Sequence, residues 1–183
     1  MTPNARFNEF ITDINPSPTT NTRSKNAHAA IRNAIWADAA YKDKLIRDFL
    51  GGSYYRQTAI RPVTKNGDME RPDVDIYVVV KGSTWLSTPE DLINDLYNTL
   101  NRARVELGIT ALSRNRCSIA ISTKNADMDI SPLLDRQDDG FYRIGNRTTG
   151  EWYKTDPEAH SSWSTLQNDH FSGRFKPTVK MVK

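Results

Sequence analysis

Apolar positions recur at helical spacing from about Thr22 to Asp38, where Ala27, Ala30, Ile31, Ala34 and Ile35 share a face and predict an amphipathic helix. The polar stretch before it, residues 1–21, is broken by Pro16 and Pro18 and reads as a flexible lead-in. Leu45–Leu50 is a short strand running into Gly51-Gly52-Ser53, and a helical turn is expected over Tyr54–Thr58. Asn66-Gly67 signals a turn, and Asp73-Val-Asp-Ile-Tyr-Val-Val-Val80 is the clearest strand, ended by Gly82-Ser83. Thr88-Pro-Glu-Asp91 combines a capping Thr, Pro in the first turn and early acids. It predicts a helix to about Leu107 with Leu92, Ile93, Leu96, Tyr97 and Leu100 on one face. Arg116–Ser122 and Ala126–Ile130 read as strands joined at Lys124-Asn125, the second ended by Ser131-Pro132. Gly140–Ile144 and Glu151–Lys154 form a predicted hairpin around Asn146–Gly150. Asp156-Pro157 starts another helix, and Arg174–Lys183 the beginning of a third. This order predicts an α/β or α+β domain around a mixed sheet.

With 183 residues, 37% of them hydrophobic, the chain can bury the core of one ordinary domain. Lys+Arg number 25 against 22 Asp+Glu, so the net charge of +3 argues neither for nor against nucleic acid. No pronounced basic stripe points to DNA binding. Cys117 is the only cysteine, which excludes an internal disulfide and a Cys-rich zinc site. His28, His160 and His170 are too far apart for an HExxH-type zinc motif. There is no membrane-length apolar run and no signal-peptide pattern at the start, so a soluble, cytoplasmic protein without membrane association is expected.

The candidate chemistry starts with Asp73 and Asp75. Strand side chains alternate, so the two carboxylates share one face roughly 7 Å apart, with Val74, Ile76, Val78 and Val80 on the other. Neighbouring carboxylates repel, and a divalent cation offsets that repulsion; magnesium in particular combines one or two carboxylates with substrate phosphates. The alternative is a hydrated strand end. Asp127 and Asp129 again share a face, so one of them beside the first pair would supply three carboxylates for a two-metal, in-line displacement; otherwise they are acids flanking a turn. Gly51-Gly52-Ser53, between a strand and a helical turn, presents backbone N–H groups and a hydroxyl to an anion, or is simply a tight turn.

In this order, Gly51-Gly-Ser-Tyr-Tyr-Arg-Gln-Thr-Ala-Ile60, Asp73-Val-Asp-Ile76 and Asp129-Ile-Ser-Pro132 resemble the nucleotidyltransferase superfamily of DNA polymerase β. Within it, they are similar to the bacterial cyclic-oligonucleotide synthases called CD-NTases, relatives of cyclic GMP–AMP synthase and oligoadenylate synthetase. Gly140-Phe-Tyr-Arg-Ile144 and Gly150-Glu-Trp-Tyr-Lys-Thr-Asp-Pro-Glu-Ala-His160 resemble that family's segment between core and C-terminal helices. The resemblance implies an α+β polymerase-β-like core over residues 22–183, with the beginning of a C-terminal helical region whose remaining lobe is missing.

It further implies NTP substrates, ATP or GTP, and magnesium, with manganese as the substitute, held by Asp73, Asp75 and Asp129. Those three would be the catalytic residues, and Asp129 is preferred to Asp127 for its following Ile-Ser-Pro. Gly52 and Ser53 would meet the triphosphate, and Lys180 and Lys183, spaced to share a helix face with Lys176, could reach it. Thr58 would support the turn rather than act as a ligand, and Arg56 could reach phosphate, although a solvated arginine is the preferred reading. The implied product is a cyclic or short linear oligonucleotide that activates a separate effector in anti-phage defence, with regulatory proteins as further partners. Two other readings stand beside this one: a minimal nucleotidyltransferase modifying a protein or tRNA in a toxin–antitoxin pair, and a catalytically silent nucleotide-binding module.

Overall fold

A computed structural model describes residues 2–65, 68–69, 71–82 and 88–183. The turn expected at Asn66-Gly67, and Ser83, lie outside the described residues. The first helices are α1 (Pro3–Ile14) and α2 (Pro18–Ala37), followed by a short 3-10 turn at Lys42–Lys44. Strand β1 (Leu45–Leu50), helix α3 (Gly52–Tyr55), the two-residue strands β2 (Thr64–Lys65) and β3 (Asp68–Met69), and β4 (Asp73–Val80) come next. Then follow α4 (Pro89–Arg102), β5 (Ile109–Arg114), β6 (Ile119–Thr123), β7 (Asp127–Leu134), β8 (Tyr142–Asn146), β9 (Glu151–Thr155), α5 (Pro157–His170) and α6 (Phe175–Met181).

The fold is a mixed α+β core. Strands run in the order β1-β4-β7-β6-β5, with β8 added to β7 and β9 to β8; β2 and β3 form a separate pair. β4 and β7 are parallel, and the other pairings in the large sheet are antiparallel. On one face, Val74, Ile76, Val78 and Val80 of β4 are fully buried against Ile31 and Ile35 of α2 and Leu92, Ile93, Leu96 and Leu100 of α4. The alternation that buries these valines turns Asp73, Asp75, Tyr77 and Val79 to the opposite face. There a smaller cluster of Val79, Leu133 and Tyr142, with Phe49 and Tyr77 packed on it, closes the sheet beyond the acids. Arg47 reaches across from β1 to α5, donating to both carboxylate oxygens of Glu158 at 3.0 and 2.6 Å.

Four expectations need correction. The lead-in is helical over Pro3–Ile14, because Thr2 caps it, accepting from the Ala5 N–H at 3.3 Å, and Pro follows in the first turn. The helical turn begins at Gly52 rather than Tyr54: Gly52, at φ 60°, turns the chain immediately out of β1. The helix from Thr88 ends at Arg102, and the chain then turns through 103–107 to Gly108, whose φ of 61° redirects it into a strand, β5, that the sequence did not announce. Ser131-Pro132 does not end β7. Pro132 sits where β6 has finished pairing at Ile130 and β8 has yet to begin at Leu133, the place in a strand where a missing N–H does least harm.

Candidate active site

The site is built by register. Parallel pairing of β4 with β7 sets Asp73 opposite Asp127 and Asp75 opposite Asp129, so all four acids occupy one end of one sheet face. The pairing is fixed at its start by the Asp127 N–H, which donates to the Pro72 carbonyl at 2.9 Å. Partial withdrawal from water, then the charges of Asp75, Asp129 and Asp127, push the Asp73 carboxyl up to about 6. Asp75 is raised as well, by burial first and then by Asp129, with Arg56 and Lys183 acting in the opposite sense.

The two later acids are held differently. Asp127 forms an ion pair with Arg71 at 2.9 Å. Asp129 instead accepts from the Ser118 hydroxyl at 2.9 Å and the Asn115 amide at 3.2 Å, neutral donors that leave its negative charge uncompensated.

The glycine turn touches this cluster directly. The Gly51 N–H donates to the Asp75 carbonyl at 3.0 Å. A β-carbon on Gly52 would lie 1.5 Å from Asp75 Oδ2, and one on Gly51 would lie 2.3 Å from the Tyr77 ring. Both glycines are therefore required by the approach of α3 to β4, and Ser53 follows them in the first turn. Behind it, Thr58 is buried, and the N–H groups of Thr58 and Ala59 both donate to the Ser53 carbonyl, at 2.9 and 3.1 Å.

The two lysines face different clefts. Lys183 lines a cleft of about 420 Å³ with Arg56, Thr58, His160 and Trp163, on the side from which its charge reaches Asp75. Lys180 donates to Asn15 Oδ1 at 2.6 Å and lines a second cleft with Tyr54 and Gln57. Burial, then Lys176, lowers its pKa. The structure thus gathers Gly52, Ser53, Asp73, Asp75, Asp129 and Lys183 at one place and puts Lys180 beside α1. Arg56, for which the sequence left open phosphate contact or a solvated side chain, stands close enough to act electrostatically on Asp75. Asn115 and Ser118 carried no signal in the sequence, because only the pairing of β6 with β7 brings them to Asp129.

Oxygen-only donors of excess negative charge suit a hard divalent cation. As the side chains stand, no three acidic, His or Cys groups among the described residues converge to enclose an ion. By donor type alone, Asp73, Asp75 and Asp129 are the residues that could hold such a cation.

A family model described as the Second Messenger Oligonucleotide or Dinucleotide Synthetase domain matches residues 1–168. The chain belongs to this family. Among curated relatives of this synthetase-family chain, a cyclic AMP-AMP-AMP synthase of Acinetobacter sp. is 35% identical over 185 residues, covering 100% of this chain and 52% of that protein. A cyclic AMP-AMP-GMP synthase of Enterobacter hormaechei subsp. hoffmannii is 36% identical over 89 residues, 49% of this chain and 22% of that protein. The CD-NTase CdnG of Bradyrhizobium diazoefficiens, solved in complex with GTP, superposes with a TM-score of 0.70 at 18% identity over 86% of this chain and 45% of that one. CdnC of E. coli MS115-1, in a CdnC:HORMA-deltaN complex, gives 0.68 at 20% identity over 97% and 53%. The structural likenesses establish the CD-NTase, polymerase-β-like fold, and the chain spans about half the length of the Acinetobacter relative and of both structures.

Proposed function

We propose that this chain carries the catalytic core of a synthase that joins NTPs into a cyclic oligonucleotide. One observation carries the reading: Gly52 lies so close to Asp75 that a triphosphate resting on the Gly52-Ser53 turn is delivered to the carboxylate face. Asp73 and Asp75 would hold magnesium against the triphosphate, and Asp129 would complete the set. When bound, magnesium neutralises the charge that develops on the phosphate oxygens in an in-line displacement.

The residues then divide the work. Ser53 and the glycine turn orient the triphosphate, while Arg56 and Lys183 supply positive charge near its tail. Asp129, held by Ser118 and Asn115, meets the acceptor ribose hydroxyl and accepts its hydrogen bond. The hydroxyl oxygen bonds to the α-phosphorus, the bond from that phosphorus to the bridging oxygen breaks, and pyrophosphate leaves; the hydroxyl proton passes to Asp129 or to water. ATP is the proposed substrate, since the Acinetobacter relative is named for a product made of AMP units. The product would act as a second messenger on a separate effector in anti-phage defence.

The test is calorimetric titration with a non-hydrolysable ATP analogue and magnesium, for this chain and for Asp73→Asn/Asp75→Asn, followed by mass spectrometry of products from the four NTPs. Magnesium-dependent binding lost in the double variant supports the reading. Binding indifferent to magnesium and to both substitutions overturns it. A free oligonucleotide made from NTPs alone separates this synthase from an enzyme that modifies protein or tRNA.

A further inference from the structure

Beyond Asp129, on the side away from the Gly52-Ser53 turn, lies a cleft of about 670 Å³ lined by Arg114, Asn115, Arg116, Cys117, Ser118, Asp129, Asn146 and Arg147. Its volume is within the range of roughly 300–1,000 Å³ usual for small-molecule sites. Three arginines stand in it, and its only acid is Asp129. Among the described residues none of the three takes part in an ion pair.

Each arginine is placed by a different contact. Arg114 lies over the Tyr97 ring, 3.6 Å from its centroid, which fixes the guanidinium without neutralising it. Arg147 donates to the Asn115 carbonyl at 2.9 Å and to the Arg114 carbonyl at 3.3 Å, while its own N–H donates to the Arg116 carbonyl at 2.8 Å. It therefore fastens the turn after β8 to the turn between β5 and β6. Arg116, at the head of that second turn, is exposed, and its side chain makes no hydrogen bond, ion pair or ring contact among the described residues.

The turn bearing Arg116 also carries Asn115 and Ser118, the two groups that hold Asp129. One hydrogen-bonded loop thus sets both the acidic group at the reaction centre and a positive wall beside it. An acceptor NTP with its ribose hydroxyl at Asp129 has only its own 5′-triphosphate to accommodate. A growing oligonucleotide, with its terminal hydroxyl at Asp129, must lay its earlier phosphates against some surface, and this cleft is the positive surface contiguous with that acid.

We propose that the Arg114–Arg116–Arg147 cleft binds the phosphates of the linear intermediate, with Arg116 as the residue that contacts them directly. This rests on the proposed nucleotidyl transfer at Asp73, Asp75 and Asp129. It makes Arg116 a determinant of whether the enzyme extends a dinucleotide or releases it.

Two probes separate the inference from the reading beneath it: a non-hydrolysable ATP analogue, and a linear adenylate dinucleotide bearing a 5′-triphosphate. Both are titrated with magnesium into this chain and into Arg116→Ala and Arg116→Lys. The expected result is that Arg116→Ala weakens dinucleotide binding roughly tenfold and leaves the ATP analogue unchanged. The slope of log affinity against log salt becomes shallower by about 0.7 for the dinucleotide, and Arg116→Lys recovers part of the loss. Dinucleotide affinity unaffected by Arg116→Ala overturns the inference while leaving the synthase reading in place, provided the ATP analogue still binds. Equal weakening of both ligands also overturns it, since the arginine would then act on the whole fold or on the donor site. Failure of this chain to bind either ligand overturns both readings.

Discussion

A β-carbon at residue 52 would sit 1.5 Å from Asp75 Oδ2, and the backbone there has φ 60°. Two separate penalties therefore fall on Gly52→Ala: a left-handed backbone conformation costing about 1 kcal/mol for a residue with a side chain, and a collision with the carboxylate. The substitution is expected to lower stability by about 2–3 kcal/mol and to abolish binding of the ATP analogue. Shortening the colliding side chain isolates the second penalty. In an Asp75→Ala background the same Gly52→Ala change should cost about 1 kcal/mol less, because the nearest remaining contact with residue 75 is then its β-carbon at 3.0 Å. Urea titrations of the four proteins measure this coupling, and equal costs in both backgrounds would show that Gly52 is not held open for Asp75.

A carboxylate in the first turn of helix α5 ties it to the sheet. Glu158 pairs with Arg47 at 2.6 Å and Arg136 at 3.1 Å and accepts from the Tyr142 hydroxyl at 2.7 Å, joining the helix to β1, β8 and the segment after β7. Hydrogen bonds from Arg47 foremost, then from Tyr142 and Arg136, hold it down at about 2 against the opposing effect of burial. A depressed carboxylate stabilises above its ordinary value near 4.5 and ceases to do so as pH falls toward 2. With the side chain a third exposed, Glu158→Gln is expected to cost about 1 kcal/mol at pH 7, or a melting point lower by about 2–4 °C. The gap from the parent should close between pH 4.5 and 2, and a gap constant with pH would mean that the ion pairs contribute nothing.

Which elements could be read in advance follows from how strongly each one is buried. β4 was legible end to end, since its apolar residues are committed to a core, whereas β1, of which only Leu45 is buried, was legible from its run into the glycine turn. β5 was not: only Ile109 is buried in Ile109–Arg114, and an edge strand paired on one side shows no alternation. For α1, the Thr2-Pro3 start is the same signal as Thr88-Pro89, but Phe7, Phe10, Ile11 and Ile14 stay half-buried or exposed and read as polar lead-in. In the site, alternation and order made the Asp73/Asp75 pair and the glycine turn visible. The partners of Asp129 and the reach of Arg56 depend on register between distant segments, which local pattern does not encode.

Across the whole molecule, the charges at the carboxylate face oppose folding in a way pH can expose. Asp73, raised to about 6 from an ordinary 3.8, binds its proton more tightly in the folded chain than in the unfolded one. Between these values the folded state carries more protons, so this group's contribution makes stability fall as pH rises from about 4 to 6, the reverse of Glu158. Because Asp73 lies at an exposed strand end, solvent screening reduces the effect to about 1 kcal/mol. Asp73→Asn should therefore melt higher than the parent at pH 7 and converge with it near pH 4. Magnesium, if Asp73 and Asp75 hold it as proposed, should remove the same penalty without mutation. The parent's melting point at pH 7 should rise with added magnesium, and that of Asp73→Asn should rise much less. Thermal melts from pH 4 to 7, with and without magnesium, decide the matter. A parent and variant that melt alike at pH 7 would mean the crowded carboxylates impose no strain on the fold, and the electrostatic reason for a cation at this face would go with it.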